Sequence, residues 1–482
     1  MARGKCEAGG MDEGAAGQRA ARRGWLHRLR HRDHTRGALS ISILALAVPS
    51  ILTSLGAMGS FQLVELKLLG WMGPDAMAAA GATNQTLRQM ILLMLLGLSA
   101  ASQMLVAQLA GAGRIGDAEH IAGQTVLAGA VLWLAVTLAG IFAAGPLVRL
   151  VTDDPAVIAL GTPYVRVAFP FLATVIFMQL ATAILGGAGD TTTPMLVNFL
   201  VTPLALFAQW ALGFGHFGLP ELGFTGIAWG QGLGGLVGTA VLLRVLFRGR
   251  ARVHLRRRHL LPDSTALSAL LRNAWQPTLH FVARSSIVIF FMALAGRIGG
   301  EAQAAYTIGL RVEMLAFMVA FPMANACATL VGQNLGAGSL PRAWRAIFVT
   351  CAMQLALLLP MALGIFLFRG ELAAWFSDDP QVTALAAEYL FYSAIALCFY
   401  GPYFAAFRAM QAAGSMLPPM LIAVSVALLL GLPLGVWLSR GELGATGMWI
   451  ASMVYALVNC ALTIGWLLTG HWTRPHRRAQ ER

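Results

Sequence analysis

The chain is 482 residues long, 57% hydrophobic and 11% charged, with a formal net charge of +13 and a mean hydropathy of +0.69. Soluble domains carry roughly 25% charged residues, so this composition excludes a water-soluble globular protein and makes lipid the solvent for most of the chain. The positive charge gathers in "RRGWLHRLRHRDHTR" (Arg22 to Arg36), "RGRARVHLRRRH" (Arg248 to His259) and "HRRAQER" at the carboxyl end. Beside so much apolar sequence, this marks loops held on the cytoplasmic side and not a nucleic-acid interface.

Residues 1–38 are polar and basic with no apolar core. They read as a disordered cytoplasmic tail, not a cleavable signal peptide, and Met11 competes with Met1 as the start. A helix crosses a bilayer with about 20 apolar residues. Runs of that length predict spans at 39–70, 77–110, 118–145, 156–185, 192–214 and 224–247, which form a first lobe (39–247). A basic cytoplasmic linker (248–265) leads to spans at 266–294, 303–336, 343–369, 381–411, 419–438 and 445–470, the second lobe (266–470). Residues 471–482 form a second cytoplasmic tail. The longest spans are expected to tilt, and Pro49 to kink the first. The predicted fold class is an all-α membrane protein of twelve transmembrane helices in two pseudo-symmetric six-helix lobes.

With both termini inside a multi-pass plasma (inner) membrane protein, all three basic stretches are cytoplasmic. The acidic turns "TDDP" (Thr152 to Pro155) and "SDDP" (Ser377 to Pro380) are then external. Asp154 and Asp379 are expected to cap helices that start on Pro155 and Pro380. The five cysteines (Cys6, Cys327, Cys351, Cys398 and Cys460) show neither a disulfide framework nor metal-ligand spacing.

Asp154 and Asp379 lie 225 residues apart, and the whole chain repeats at that offset. "VAQLAGAG" (Val106 to Gly113) falls on "VGQNLGAG" (Val331 to Gly338), Tyr164 on Tyr389, Gly189 on Gly414, and Pro194-Met195 on Pro419-Met420. Six spans per half give both halves the same orientation, as in parallel repeats related by an axis along the membrane normal. The glycine-rich segments lack the preceding strand and the Gly-Lys-Ser/Thr of a phosphate loop. They read as helix ends capped by glycine, with Gln108 and Gln333 as part of the caps.

"AAYTIGLRVEMLAF" (Ala304 to Phe317) followed by "ATLVGQNLGAG" (Ala328 to Gly338) resembles the multidrug and toxic compound extrusion (MATE) transporters. "LGWMGPDAMAAAGATNQ" (Leu69 to Gln85) and "GAGDTTTPMLVN" (Gly187 to Asn198) resemble the matching first-half signatures. The resemblance covers residues 39–470. It implies two lobes around a central cavity, alternating access, and antiport of amphipathic, often cationic, small molecules against protons or sodium. It further implies a protein that acts as a monomer in the lipid bilayer without a cofactor or bound metal.

Ionisable residues at membrane depth are costly and therefore candidates for function. Glu65 stands in the outer part of the first helix, where the family usually has an aspartate, and Glu313 in the outer half of the eighth. Both are candidate ion-coupling residues. Arg88 and Glu313 are equivalent at the 225 offset with opposite charge, which suggests a gate that closes when the outer ends meet. Asn84, Gln85, Asn198 and Gln209 are candidate cavity residues. Gln209 stands where many relatives carry an aspartate, and a glutamine cannot carry a proton. The seventh and tenth helices have no carboxylate at their centres, Glu388 being near one end, which favours H+ over Na+. Lys67, Arg284, Arg311 and Arg408 have no assigned role, and His280 reads as packing. A flippase for lipid-linked envelope precursors is the alternative. No catalytic cluster supports an enzyme.

Overall fold

The computed structural model describes residues 37–249 and 252–473, apart from the side chains of Met58 and Gln85. The expectations for the start methionine and the amino-terminal tail to residue 36, and for residues 474–482, lie outside the described residues. Among the described residues, twelve helices are long and apolar enough to cross a membrane. They are α1 (Leu39–Trp71), α2 (Pro74–Gly111), α3 (Ile115–Phe142), α4 (Pro155–Ala188), α5 (Thr192–Phe214) and α6 (Phe224–Phe247) in one lobe. The other lobe has α7 (Ser264–Ile298), α8 (Gly300–Gly336), α9 (Leu340–Leu367), α10 (Pro380–Ala412), α11 (Leu417–Arg440) and α12 (Gly444–Leu468). Within the first lobe α4 packs on α2, α3 and α6, and within the second α10 packs on α8, α9 and α12. The fourth helix of each lobe is therefore its centre. Leu63, Ile289 and Leu429 stand exposed on the outer faces, which suits a lipid surround.

The helix ends follow from local chemistry. The Asp154 carboxylate accepts from Ala156 N at 2.9 Å, and that of Asp379 from Gln381 N at 2.8 Å, each just before the proline that starts the helix. At the opposite face, α2 and α8 stop on left-handed glycines, Gly113 (φ 74°) and Gly338 (φ 72°). Arg114 N bonds back to Leu109 O at 3.0 Å and Ser339 N to Asn334 O at 2.8 Å, the six-to-one bond of a Schellman cap. Pro49 is buried in α1, and the helix runs on from it into a π-helical segment, Thr53–Gly59; α2 holds another, Gly81–Leu87. Such segments often mark functional sites.

The basic linker is docked. Val253 and Leu255 are fully buried in the core of the first lobe, and Leu255 N bonds to Leu246 O at 3.0 Å. Gln124 of α3 donates to His259 O (2.9 Å) and Leu261 O (2.6 Å) and accepts from Asp263 N (3.1 Å). Arg256, Arg257 and Arg258 remain exposed. Burial, then the Arg258 guanidinium, pushes the His259 imidazole below its ordinary range. The hydrogen bond from His120, then that from Thr265 N, holds the Asp263 carboxyl low. At the carboxyl end, residues His471–Thr473, expected to belong to a tail, form a turn whose Trp472 is buried against Trp344, 5.1 Å between ring centroids.

Candidate functional site

The end of the bundle that carries the linker is called here the linker face, and the end with the Asp154 and Asp379 turns the turn face. The lobes are sealed together at the linker face. Gln108 Nε2 donates to Ala412 O at 2.6 Å, and Gln333 Nε2 to Gly187 O at 3.0 Å. Donor and acceptor of one bond map onto those of the other at the 225-residue offset. The acceptors lie in the last turn of α10 and α4, where carbonyls have no partner within the helix. Gln108 and Gln333 are therefore cap residues, as read from the sequence: their carbonyls accept the closing bonds of their own helices, and their side chains cap those of the opposite lobe. The side chains leave α2 and α8 where the two helices cross, so they reach across the crossing and not along their own helix.

Gly111 and Gly336 make that crossing close enough. A Cβ on Gly111 would sit 2.0 Å from Gln333 O, and one on Gly336 1.9 Å from Gln108 O. Beside it, Gln103 Nε2 donates to Thr329 Oγ1 (3.1 Å), whose hydroxyl donates to Gly186 O (3.0 Å). Arg408, buried in α10, donates to Gln103 Oε1 at 2.8 Å and also to Gln411 Oε1, and lies 5.5 Å from the Phe321 ring. Leu93 and Leu96 of α2 pack above against Phe281, Phe407 and Met416. The start of α1 joins the core of the second lobe through Ile43, Leu46 and Ala47. Among the described residues, every hydrogen bond between the helices of the two lobes falls in this half.

Toward the turn face each lobe holds a cavity of its own, open to the outside, whose volume includes that open space. That of the first lobe, about 380 Å³, is lined by Asn84, Arg88, Tyr164 and Gln231 among others. Asn84 Nδ2 donates to Glu65 Oε1 at 3.3 Å; Arg88 Nη1 donates to Asn84 Oδ1 at 2.8 Å and to Gln231 Oε1 at 3.4 Å. A polar chain thus joins α1, α2 and α6, with Glu65 linked to Arg88 through an amide. Tyr164 stacks on Phe224, centroids 4.4 Å apart.

The cavity of the second lobe is larger, about 740 Å³, and aromatic; Tyr306, Tyr400, Trp449 and Tyr455 are among its walls. Glu313 is buried in its wall and accepts at Oε1 from the Tyr389 hydroxyl (2.9 Å) and from the Ser393 hydroxyl. Arg284 faces the same cavity, 5.0 Å from the Phe404 ring, 5.3 Å from Phe317 and 5.8 Å from Tyr400.

The cavities account unevenly for the residues singled out in the sequence. Glu65, Asn84 and Arg88 come together, and Glu313 stands in the other lobe, so Arg88 and Glu313 are not partners in this arrangement. Asn198 bonds to Pro194 O of its own helix at 2.9 Å, and Gln209 is fully buried, with the Gly230 backbone of α6 against its own. Neither is among the residues that line the two cavities. The side chain of Gln85 lies outside the described residues. His280 is buried, stacked on Phe407 at 4.2 Å with the Tyr403 hydroxyl 3.3 Å from its Nε2, in keeping with packing. Lys67 is exposed, 5.5 Å from the Trp71 ring, an arrangement for a membrane interface. Gln231 and Ser393 were missed, while Arg284 was singled out without a role and Tyr389 only as a repeat position. Tyr389 had a signal, its repeat at Tyr164; Ser393 had none.

Comparison with known proteins gives one answer. The MatE family model matches residues 49–210 and 278–437, once in each lobe. The probable multidrug resistance protein NorM of Thermotoga maritima is 27% identical over 435 residues, 88% of this chain and 91% of that one. The multidrug resistance protein PmpM of Pseudomonas aeruginosa is 30% identical over 370 residues, 73% of this chain and 74% of that one. A solved outward-facing structure of a multidrug resistance MATE family transporter of the MOP superfamily shares the fold, with a TM-score of 0.82 at 20% identity over 90% of this chain and 96% of that one. From the twofold match of the family model and the length of chain shared with these relatives, the chain belongs to the MATE family of multidrug efflux transporters, which are not enzymes.

Proposed function

We propose that this transporter is an antiporter that exports amphipathic compounds, cations among them, against an inward flow of protons. The observation that carries this reading is the placement of one carboxylate in each lobe in the same half of the molecule, Glu313 in the wall of one cavity and Glu65 bonded to Asn84, which lines the other. Each is hydrogen-bonded to neutral donors, Asn84 in one case and Tyr389 with Ser393 in the other. A carboxylate so held can release and regain a proton without breaking an ion pair. Its charge at membrane depth is costly, so a proton taken up as the cavity closes and a cation held while it is open exclude one another. That exclusion is what an antiporter requires, because a ligand shifts a conformational equilibrium only by its differential affinity for the two states.

In this reading the linker face is cytoplasmic, since the exposed arginines lie there, and the sealed linker face with cavities toward the turn face is the outward-facing state. The protein works as a monomer in the plasma (inner) membrane. Arg88 and Glu313 approach each other when the outer ends close. Arg88→Glu and Glu313→Arg should each abolish transport and the double reversal restore part of it; a double variant as inactive as either single one would remove the gate from the account. The coupling ion is tested in vesicles containing the purified protein. An imposed proton gradient should drive ethidium movement and an imposed sodium gradient should not; the reverse result would assign sodium.

A further inference from the structure

We propose that the second-lobe cavity carries an anion subsite at Arg284, and that this transporter accepts amphipathic aromatic carboxylates there. The inference deepens the export reading, because it rests on that cavity being a cargo site.

The other cations well inside the described spans have an account. Lys67, Arg166 and Arg311 are exposed. Arg88 donates through Nη1 to amide oxygens of Asn84 and Gln231, and Arg408 through its two Nη groups to those of Gln103 and Gln411, while the Nε of each is buried without a partner among the described residues. Arg284 differs from all of them. It faces a cavity of about 740 Å³ and lies within 5.0 to 5.8 Å of three rings, Phe317, Tyr400 and Phe404. Among the described residues no carboxylate comes within ion-pair distance of it; Glu313 interacts with it only at longer range, and the Tyr403 hydroxyl shares one hydrogen bond with it, which leaves the rest of the fork to the rings. The cavity's own carboxylate, Glu313, is engaged through Oε1 by two hydroxyls of α10.

Ring faces balance part of the charge of a guanidinium but accept only weak hydrogen bonds. The planar fork of N–H groups is then matched best by a carboxylate, which it binds through two parallel bonds. The aromatic walls of the cavity suit the body of a flat aromatic molecule, through offset or edge contacts with its ring. A small aromatic acid satisfies both parts of the site, its ring among the aromatic walls and its carboxylate on Arg284.

The test uses the full chain in lipid nanodiscs and three fluorescent probes: a coumarin carboxylate, the matching coumarin carboxamide, and ethidium. Binding is read by fluorescence anisotropy. Wild type should bind the carboxylate more tightly than the carboxamide. Arg284→Gln should weaken carboxylate binding at least about tenfold, the loss of a hydrogen bond between charged groups, change carboxamide binding far less, and not weaken ethidium, whose positive charge it no longer repels. Arg284→Lys, which keeps the charge without the fork, should retain part of the preference. The subsite is overturned if wild type shows no saturable carboxylate binding, if it binds carboxylate and carboxamide alike, or if Arg284→Gln weakens all three probes together, the mark of a packing role. Proton-driven ethidium transport by wild type is measured in parallel. Its failure alone would remove the export reading and leave the ligand preference standing.

Discussion

At the scale of single residues, polar groups inside the bundle divide into those that hold the lobes and those that face cavities. Arg408 is of the first kind. Arg408→Met leaves Gln103 and Gln411 without their charged donor, and each such bond is worth about 1.5–3 kcal/mol. The variant should melt at lower temperature and open the linker face more often; an unchanged Tm and unchanged cysteine accessibility at the seal would show that the bonds contribute nothing. His259 gives a pH dependence. Its pKa lies below the ordinary 6.5 when the linker is docked, so the docked form binds fewer protons than the undocked one. Docking is then at full strength above about pH 6.5 and weakens as pH falls below it. Asp263, also held low, acts in the same direction but only in the more acidic range of a carboxylate. Amide protection over residues 252–263, the exchange rate relative to the base-catalysed intrinsic rate at each pH, should fall between pH 7 and pH 5.5 and do so less in His259→Gln. Protection that does not respond to pH in wild type would contradict this.

Residue roles were the least legible part of the sequence. Glu65, Arg88 and Glu313 stood out because a charge in an apolar run is conspicuous. Gln209 and Asn198 looked equivalent to Asn84, since all three are lone polar residues in spans. The packing of α5 against α6 sets Gln209 apart and a bond within its own helix sets Asn198 apart, and helical periodicity does not reveal which neighbour a face meets. Arg284 was visible as a charge, but its three ring neighbours come from α8 and α10, too far along the chain for any local pattern to show.

At the scale of elements, the central device is the crossing of α2 and α8. Gly336→Ala inserts a Cβ 1.9 Å from Gln108 O; overpacking of this kind costs about 1–3 kcal/mol. That cost falls on the sealed state and not on the lobes themselves. Since about 1.4 kcal/mol is tenfold in an equilibrium, the open linker face should become severalfold to about a hundredfold more populated. A cysteine placed at the fully buried Ala107 reports this through its maleimide labelling rate from the linker side, which should rise in Gly336→Ala and equally in Gly111→Ala, its symmetry mate. A rise in neither would mean that the crossing is not what opens. The elements themselves were legible, because apolar length, proline starts and glycine stops are local signals. The glycine-rich repeat was legible as a pair of helix ends. Its second role, letting two lobes touch, depends on a crossing between helices more than 200 residues apart and left only one trace, the exact recurrence of a glutamine beside the glycine.

At the scale of the whole molecule, two similar lobes share a seal at one face and present a cavity each toward the other. The repeat made the two-lobe plan legible, since an even number of spans per half dictates parallel halves. It also showed which positions correspond and carry different charges, Arg88 and Glu313 above all. What a repeat cannot show is which end of the lobes is joined, because both ends are repeated alike. The hydrogen bonds of Gln108, Gln333 and Arg408 answer that. Export in this account is the alternation of that seal with closure at the turn face, and protonation of the lobe carboxylates selects between the two.

The most direct test of that claim compares wild type with Glu65→Gln in vesicles loaded with a pH-sensitive dye, with ethidium as cargo. In wild type, ethidium movement should drive proton movement in the opposite direction, and a proton gradient should drive ethidium. Glu65→Gln should still bind ethidium but move neither against the other. Normal proton-coupled ethidium transport by Glu65→Gln would contradict the account and move the coupling role to Glu313 or elsewhere.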